Sequence, residues 1–147
     1  MARDDDSPFV LRLPCDLRLL GLARHFVETV CRTLNVDDCF SEALQLATHE
    51  ALQNIIRHGH ANHSDARLEI RVTPTDDGME VRVLDEGAPF DVASVPHLDP
   101  GELRIGGRGV FLMRRLLDHL ESLPRQPHGN ELRMFKRFSA TSRRQLA

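Results

Sequence analysis

Two adjacent segments of the chain, residues 67–72 and 79–83, alternate apolar and charged side chains with a period of two. Such alternation is typical of β-strands that bury one face and leave the other in water. The residues Asp76-Asp77-Gly78 lie between the two segments and are typical of a hairpin turn. A shorter alternation over residues 9–13 predicts another strand. The rest of the chain must therefore cover one face of a sheet whose other face is charged.

Helical patterns on the N-terminal side of this hairpin can provide that cover. Apolar residues recur at three- and four-residue steps over residues 19–34, and Asn35 is expected to end this helix. A second helix is expected from about residue 39 to 58, with Asp37 or Asp38 as its N-cap and with its end near Gly59.

The pattern breaks between Asp85 and Gly109, a stretch that contains three prolines and five glycines. Irregular segments of this length in small domains are usually functional or disordered. Periodicity resumes in a third helix, whose expected apolar positions are Val110, Met113, Leu117 and Leu120. A last strand is expected over residues 132–138.

The sum is about four strands and three helices, and all three helices can lie on the buried sheet face. This combination predicts an α+β fold, a two-layer α/β sandwich. We expect one domain over residues 9–138, with flexible tails at residues 1–8 and 139–147.

Composition excludes several other classes of protein. The formal charge of −3 and the pI of about 6.2 do not resemble a nucleic-acid-binding surface. The three cysteines lack CxxC spacing, and no run of 18 apolar residues occurs. We therefore expect a cytoplasmic protein without a direct nucleic-acid or membrane partner.

The segment HEALQNIIRHG, which begins at His49, places Glu50 and Asn54 one helical turn apart. At 100° per residue they lie roughly 120° and 80° from the centre of the apolar stripe, at its margin. A glutamate there can act as a base, and an asparagine oxygen suits a hard cation such as Mg²⁺. A semi-exposed polar edge without any such function fits this segment as well.

Two further motifs fit a nucleotide. In VLDEGAPFD, Asp85 can accept a hydrogen bond from an exocyclic amine, and Gly87 permits close approach of the backbone. The same residues would also suit a simple turn. In GELRIGGRGVFLM, a glycine-rich segment opens a helix, and free N–H groups at such a start bind anions. This segment is neither a Walker A motif nor a dinucleotide-binding fingerprint.

The order of these three motifs resembles the ATP-binding fold shared by gyrase, Hsp90, histidine kinases and MutL. Within that superfamily the chain looks most like the bacterial anti-sigma factors that are also serine protein kinases, and the similarity covers residues 9–138. The resemblance implies a Bergerat-type fold with a mixed, mostly antiparallel sheet and helices on one face. It also implies ATP and Mg²⁺ as ligands.

The same resemblance implies roles for individual residues. Glu50 would be the general base, and Asn54 would coordinate Mg²⁺. Asp85 would accept from the adenine amine, with Gly87 beside the base. His58 matches the histidine that often ends the first motif. The residues implied in nucleotide binding at the third motif are Arg104, Gly106, Gly107, Arg108 and Gly109, with Arg104 as the lid arginine near the γ-phosphate. The family often has a threonine near Asn130 or Glu131, so that adenine-site contact is in doubt here.

The implied function is a partner switch. The chain would bind ATP–Mg²⁺, sequester a sigma factor, and phosphorylate a Ser or Thr of an anti-anti-sigma protein with a STAS domain. The short segment over residues 92–105 favours this branch of the superfamily. A sequestration module without phosphotransfer and the detached ATPase half of a phosphorelay stay open as alternatives, and a homodimer is possible.

Overall fold

The computed structural model describes residues 7–59, 65–97 and 108–142. The strands are β1 (Phe9–Pro14), β2 (Arg67–Pro74), β3 (Gly78–Asp85), β4 (His119–Pro124) and β5 (Asn130–Arg137), and the helices are α1 (Leu20–Thr33), α2 (Asp38–Gly59) and α3 (Arg108–Leu116). Short 3-10 turns lie at Leu17–Leu19 and Val92–Ser94.

The strands form a single five-stranded sheet in the order β1-β2-β3-β5-β4. The pairings between these strands are all antiparallel, which confirms the expected α+β sandwich with a mostly antiparallel sheet. The register places Asp85 opposite both Leu68 on β2 and Asn130 on β5. The last residue of β3 is therefore held between two neighbouring strands.

The covered sheet face is apolar, as the alternation predicts. Inward residues of the central strands, including Ile70, Val72, Val81, Val83 and Met134, are completely buried. Helix α2 packs between α1 and α3 over this face and contributes Leu44, Ala47, Ala51 and Leu52 to the same core. Full burial of one such aliphatic side chain is worth about 1.5–3 kcal/mol. The core thus holds α2 firmly against the sheet, with its C-terminal half beside the end of β3.

The third helix is shorter than predicted, and a strand was missed. Helix α3 ends at Leu116, and Leu120 belongs to β4 instead. The prediction was wrong because Leu117 and Leu120 continue the helical spacing of Met113. In the structure Leu120 lies opposite Met134 and packs against the core from the edge of the sheet.

The connection between α1 and α2 is built as its sequence suggests. Asn35 has a left-handed backbone (φ 55°) directly after α1, a conformation that Asn tolerates. Asp37 caps α2, since its Oδ1 accepts from the Phe40 N–H at 3.0 Å. The Asp37 N–H donates to the Ser142 carbonyl at 2.8 Å, so the chain stays packed against the domain beyond Phe138.

The open sheet face carries ion pairs across the strands. Arg12 Nε on β1 lies 2.7 Å from Glu69 Oε2 on β2, and Arg82 Nη1 on β3 lies 3.4 Å from Glu131 Oε1 on β5. The hydrogen bond from Arg12 is the main reason that the pKa of Glu69 is lowered. In the described part of the chain, no helix has the length and apolar character needed to cross a membrane.

Candidate functional site

A cavity opens where the C-terminal half of α2 meets the loop after β3. Its walls also include residues of α3, β4 and β5, and most of them are apolar, such as Ile55, Phe90, Met113 and Leu132. Asn54, His58, Asp85, Ser122 and Asn130 add polar groups to this lining. A concave apolar pocket with few convergent polar groups is the usual form of a small-molecule site.

The polar end of the cavity is built around Asp85, the last residue of β3. Its side chain points to the covered sheet face and is only 2% exposed. Oδ1 accepts from the Gly87 N–H at 2.7 Å, which closes a tight turn directly after the strand. A buried carboxylate fixed in this way is a preorganised acceptor for a donor group on a ligand.

The turn between β4 and β5 holds the Asp85 main chain. Arg125 Nη1 donates to the Asp85 carbonyl at 2.9 Å. Gly129 has φ +105°, and a Cβ at this position would lie 2.2 Å from the Asp85 carbonyl oxygen. Only glycine fits there, because any side chain would collide with main-chain atoms.

The Asn130 side chain contacts the loop that follows Asp85. Its Oδ1 accepts from the Phe90 N–H at 3.0 Å, and its Nδ2 donates to the Ala88 carbonyl at 2.7 Å. The same Nδ2 lies 3.4 Å from Asp85 Oδ1 and 3.5 Å from the Gly87 carbonyl. Where the family often has a threonine, this chain therefore has the Asn130 amide, which is hydrogen-bonded to the loop after β3.

Glu50 and Asn54 meet the start of α3. A Cβ on Gly109 would lie 3.0 Å from Glu50 Oε2, 3.0 Å from Asn54 Nδ2 and 3.4 Å from Asn54 Oδ1. The two half-buried side chains therefore point to the same place, the first turn of α3, where the helix dipole favours negative charge. An anionic group held at this helix start would lie beside both of them.

The end of α2 approaches the loop after β3 closely. His58 is exposed and contributes to the lining, and Gly59 follows it at the end of the helix. A Cβ on Gly59 would lie 3.8 Å from the Gly87 Cα, an ordinary van der Waals distance. The first and second motifs therefore face each other across the cavity.

The third motif is described only in part. Arg108 is the exposed first residue of α3, and Gly109 follows it. Arg104, Gly106 and Gly107 lie outside the described residues, so their expected contacts with phosphate stay predictions.

Arg114 ties α3 to the segment that precedes the third motif. Its Nη2 donates to the carbonyls of Val92 and Val95 at 3.0 and 2.8 Å, and its Nη1 donates to the Pro96 carbonyl at 3.2 Å. One guanidinium thus binds three main-chain acceptors at the C-terminal end of a 3-10 turn.

Sequence reasoning missed several residues of the cavity. Ser122 lines it and accepts from the Val92 N–H at 2.8 Å, but it lies on the strand that was not predicted. Its signal was the inward alternation of Leu120 and Ser122. Phe90 and Met113 also line the cavity, and nothing in their local sequence separates them from ordinary core residues.

Cys15 lies close to this site without fitting the role of a nucleophile. Burial, with smaller contributions from the charges of Asp85 and Glu86, raises the pKa of its thiol to about 11. It is therefore protonated at neutral pH, and the thiolate is the reactive form.

Comparison with known proteins identifies the family. A family model described as a histidine kinase-like ATPase domain matches residues 13–136, which is most of the chain. The chain belongs to the histidine kinase-like ATPase domain family. The resemblance inferred from the three motifs is confirmed.

Curated relatives in this family are protein kinases by name. The serine-protein kinase RsbW of Listeria monocytogenes is 29% identical over 119 residues, which are 76% of this chain and 76% of that protein. The serine-protein kinase RsbW of Bacillus subtilis is 26% identical over 118 residues, with 75% and 74% of the two chains covered.

One solved structure that aligns with this chain is the histidine kinase domain of a blue-light activated histidine kinase from Erythrobacter litoralis. It aligns with a TM-score of 0.49 at 17% identity. The alignment covers 92% of this chain and 65% of that chain, so this chain spans just under two thirds of its length.

The donor set at α3 suits ATP with Mg²⁺ better than a metal held by protein alone. Within residues 7–59, 65–97 and 108–142, no group of three or more His, Cys, Asp or Glu side chains could hold a metal ion. Mg²⁺ is usually bound by one or two protein oxygens together with phosphates and water. Asn54 Oδ1, beside a helix start that suits phosphate, fits that description.

Proposed function

We propose that this chain is an ATP-dependent protein serine/threonine kinase that acts as an anti-sigma factor. The observation that carries the proposal is the convergence of Glu50 and Asn54 on the N-terminus of α3, at the margin of the cavity that contains Asp85. Membership of an ATPase domain family and relatives named serine-protein kinases support it.

The base of ATP would lie in the apolar cavity. Its exocyclic amine would donate to the Asp85 carboxylate, and the absence of a side chain at Gly87 would let the ring pack against the loop. Ile55 and Met113 offer apolar surface for the ring. Base selection rests on Asp85, because a buried acceptor left without a donor penalises the wrong base.

The phosphates would lie toward the N-terminus of α3. Main-chain N–H groups there, including those at Gly106, Gly107 and Gly109, would donate to phosphate oxygens. Arg104 would reach the γ-phosphate, with Arg108 nearby, and His58 would lie at the edge of the site. Asn54 would hold a Mg²⁺ ion, which neutralises phosphate charge when bound.

Glu50 would act on the substrate hydroxyl. As a Ser or Thr oxygen forms its bond to the γ-phosphorus, Glu50 takes the hydroxyl proton. The bond from the γ-phosphorus to the bridging oxygen breaks, and ADP leaves with that oxygen. Positioning and charge neutralisation provide most of the rate in such transfers, so Glu50 and Asn54 would need only the N–H groups and arginines at the phosphates beside them.

The protein partners in this proposal are a sigma factor and an anti-anti-sigma protein with a STAS domain. Sequestration of the first and phosphorylation of the second would make a switch in which the nucleotide state selects the partner. The family name of the curated relatives is the support for this step.

A single assay separates this function from its alternatives. The chain is incubated with radiolabelled ATP, with Mg²⁺ or EDTA, and with candidate STAS proteins and sigma factors encoded near its gene. We expect Mg²⁺-dependent label on the STAS protein, which is lost when its acceptor serine is replaced by alanine.

The other outcomes are equally informative. Nucleotide-dependent capture of a sigma factor without label transfer would indicate a sequestration module. ATP hydrolysis with neither transfer nor capture would indicate an ATPase half of a larger system.

A further inference from the structure

The Asn130 amide is almost completely used within the protein. The residue is 8% exposed, and it is the first residue of β5, directly opposite Asp85. Its Oδ1 accepts from one main-chain N–H of the loop, while its Nδ2 faces two carbonyls and the Asp85 carboxylate. These contacts span sequence separations of 40 to 45 residues, so they join two distant parts of the chain.

This arrangement requires a side chain with one acceptor and two donor hydrogens. The loop after Asp85 has no regular secondary structure, so its main-chain groups need partners from elsewhere. An amide supplies one acceptor and two N–H donors from a planar group. A single hydroxyl could accept from Phe90 and donate to Ala88, but its one hydrogen would leave no donor for Asp85 Oδ1.

The backbone of Asp85 is held independently. Arg125 donates to its carbonyl, and Gly129 allows the turn to approach it. Asn130 therefore adds control over the path of the loop to Phe90, which these contacts leave undefined, and it gives Asp85 Oδ1 a second donor besides the Gly87 N–H. Phe90 and Ala88 themselves line the cavity.

We propose that Asn130 is a positioning residue for base selection. It fixes the Asp85 carboxylate and the adjoining loop in the geometry that accepts an amine on the ligand's ring. This inference rests on the proposed function, in which the base of ATP occupies the cavity. A residue that merely stabilised the loop would affect the binding of all ligands alike, whereas a positioning residue changes the preference among bases.

The decisive variant is Asn130→Asp. It keeps the shape of the side chain and the acceptor for the Phe90 N–H, but it removes the donor and places a second carboxylate 3.4 Å from Asp85 Oδ1. Asn130→Ala removes all the contacts without adding charge. Asn35→Asp is the matched control, since Asn35 is exposed and Asp also tolerates its left-handed backbone.

Binding of ATP, GTP and inorganic tripolyphosphate is measured by calorimetry with Mg²⁺ for each protein, together with thermal unfolding. We expect Asn130→Asp to lower the ATP-to-GTP affinity ratio about 10-fold or more, as loss of a buried hydrogen-bond partner would. Asn130→Ala should lower the same ratio. Tripolyphosphate binding should stay unchanged in both variants, and Asn35→Asp should match the wild type throughout.

Different results would contradict the positioning role of Asn130 and the proposed function of the chain. If Asn130→Asp does not fold, Asn130→Ala decides the question. An unchanged ATP-to-GTP ratio in a folded variant, or equal losses for all three ligands, overturns the positioning role alone. Failure of the wild-type protein to bind ATP would overturn the proposed function, and this inference with it.

Discussion

The two ends of the cavity are built in different ways. At the base end, the end that our proposal assigns to the base of ATP, Asp85 terminates a strand, and contacts from Arg125, Gly129 and Asn130 hold its main chain and side chain. At the phosphate end, the end that our proposal assigns to the phosphates, Glu50 and Asn54 project from one helix toward the first turn of another. The first end is fixed by the sheet, and the second depends on how two helices approach each other.

This difference suits the two tasks of the proposed kinase. Base selection needs an acceptor whose direction does not change, because a misdirected carboxylate would accept other donors as well. Phosphoryl transfer needs a base and a metal ligand that meet a moving group on the substrate side. The ends should therefore fail separately when mutated: changes at the phosphate end should affect rate, and changes at the base end should affect selectivity.

The largest effect is expected from Glu50→Gln at the phosphate end. Gln keeps the shape of the side chain but cannot take a proton, and a general base contributes about 10²–10⁴ in rate. We expect phosphotransfer to fall by this factor while ATP affinity stays within a few-fold. Glu42→Gln, an exposed site on the same helix, is the control and should be fully active. Near-normal transfer by Glu50→Gln in steady-state assays would remove Glu50 as the base.

Gly109→Ala tests the close approach between α2 and α3. The added Cβ would lie 3.0 Å from both Glu50 Oε2 and Asn54 Nδ2, so these side chains must move. We expect phosphotransfer to fall by roughly 10- to 100-fold, since small misplacements of reacting groups have effects of this size.

The control for that variant is Gly21→Ala on α1, where a Cβ would meet nothing within 4 Å. Its activity should be unchanged, and its stability should rise slightly because Ala favours helix. An ATP-to-GTP preference that changes in Gly109→Ala would contradict the separation of the two ends.

Asp85→Asn should reduce the selectivity for the base without affecting the contacts with the phosphates. The Asn amide can turn a donor toward the ring amine, so the preference for ATP over GTP should fall by about 10- to 100-fold. Calorimetry with both nucleotides measures the ratio, and tripolyphosphate binding should persist. A ratio equal to that of the wild type would mean that Asp85 does not read the base.

The smallest effect is expected on the open sheet face, which belongs to neither end. Arg12 lowers the pKa of Glu69 below its ordinary value of 4.5, so this ion pair stabilises the fold above that pH and its contribution is lost as the pH falls through the lowered pKa. Because the pair lies in contact with water, Glu69→Gln should cost about 1 kcal/mol or less.

Denaturant unfolding at several pH values checks this expectation. The difference between wild type and Glu69→Gln should be constant near neutral pH and should shrink below pH 4.5. A difference that grows on acidification would have the wrong sign. Kinase activity and base preference should not change.

Much of the fold follows from local patterns, and much of the site does not. Alternation over residues 67–72 predicts β2, and Asp37 is a recognisable cap. The spacing of Leu117 and Leu120 fits a helix and an edge strand equally well. The strand β4 is therefore recognised only from its pairing with β5 in the folded sheet. The Asn130 contacts could not be predicted from the sequence for a similar reason, because they depend on the register between β3 and β5.

The contacts of Arg114 have a consequence for the evolution and engineering of the protein. Its guanidinium holds the carbonyls of Val92, Val95 and Pro96 against α3, which anchors the connection from β3 before it reaches the third motif. A change of length or sequence in residues 98–107 therefore does not have to alter the loop beside Asp85. We therefore expect a chimaera that carries a related domain's residues 98–107 to keep the base preference of this chain.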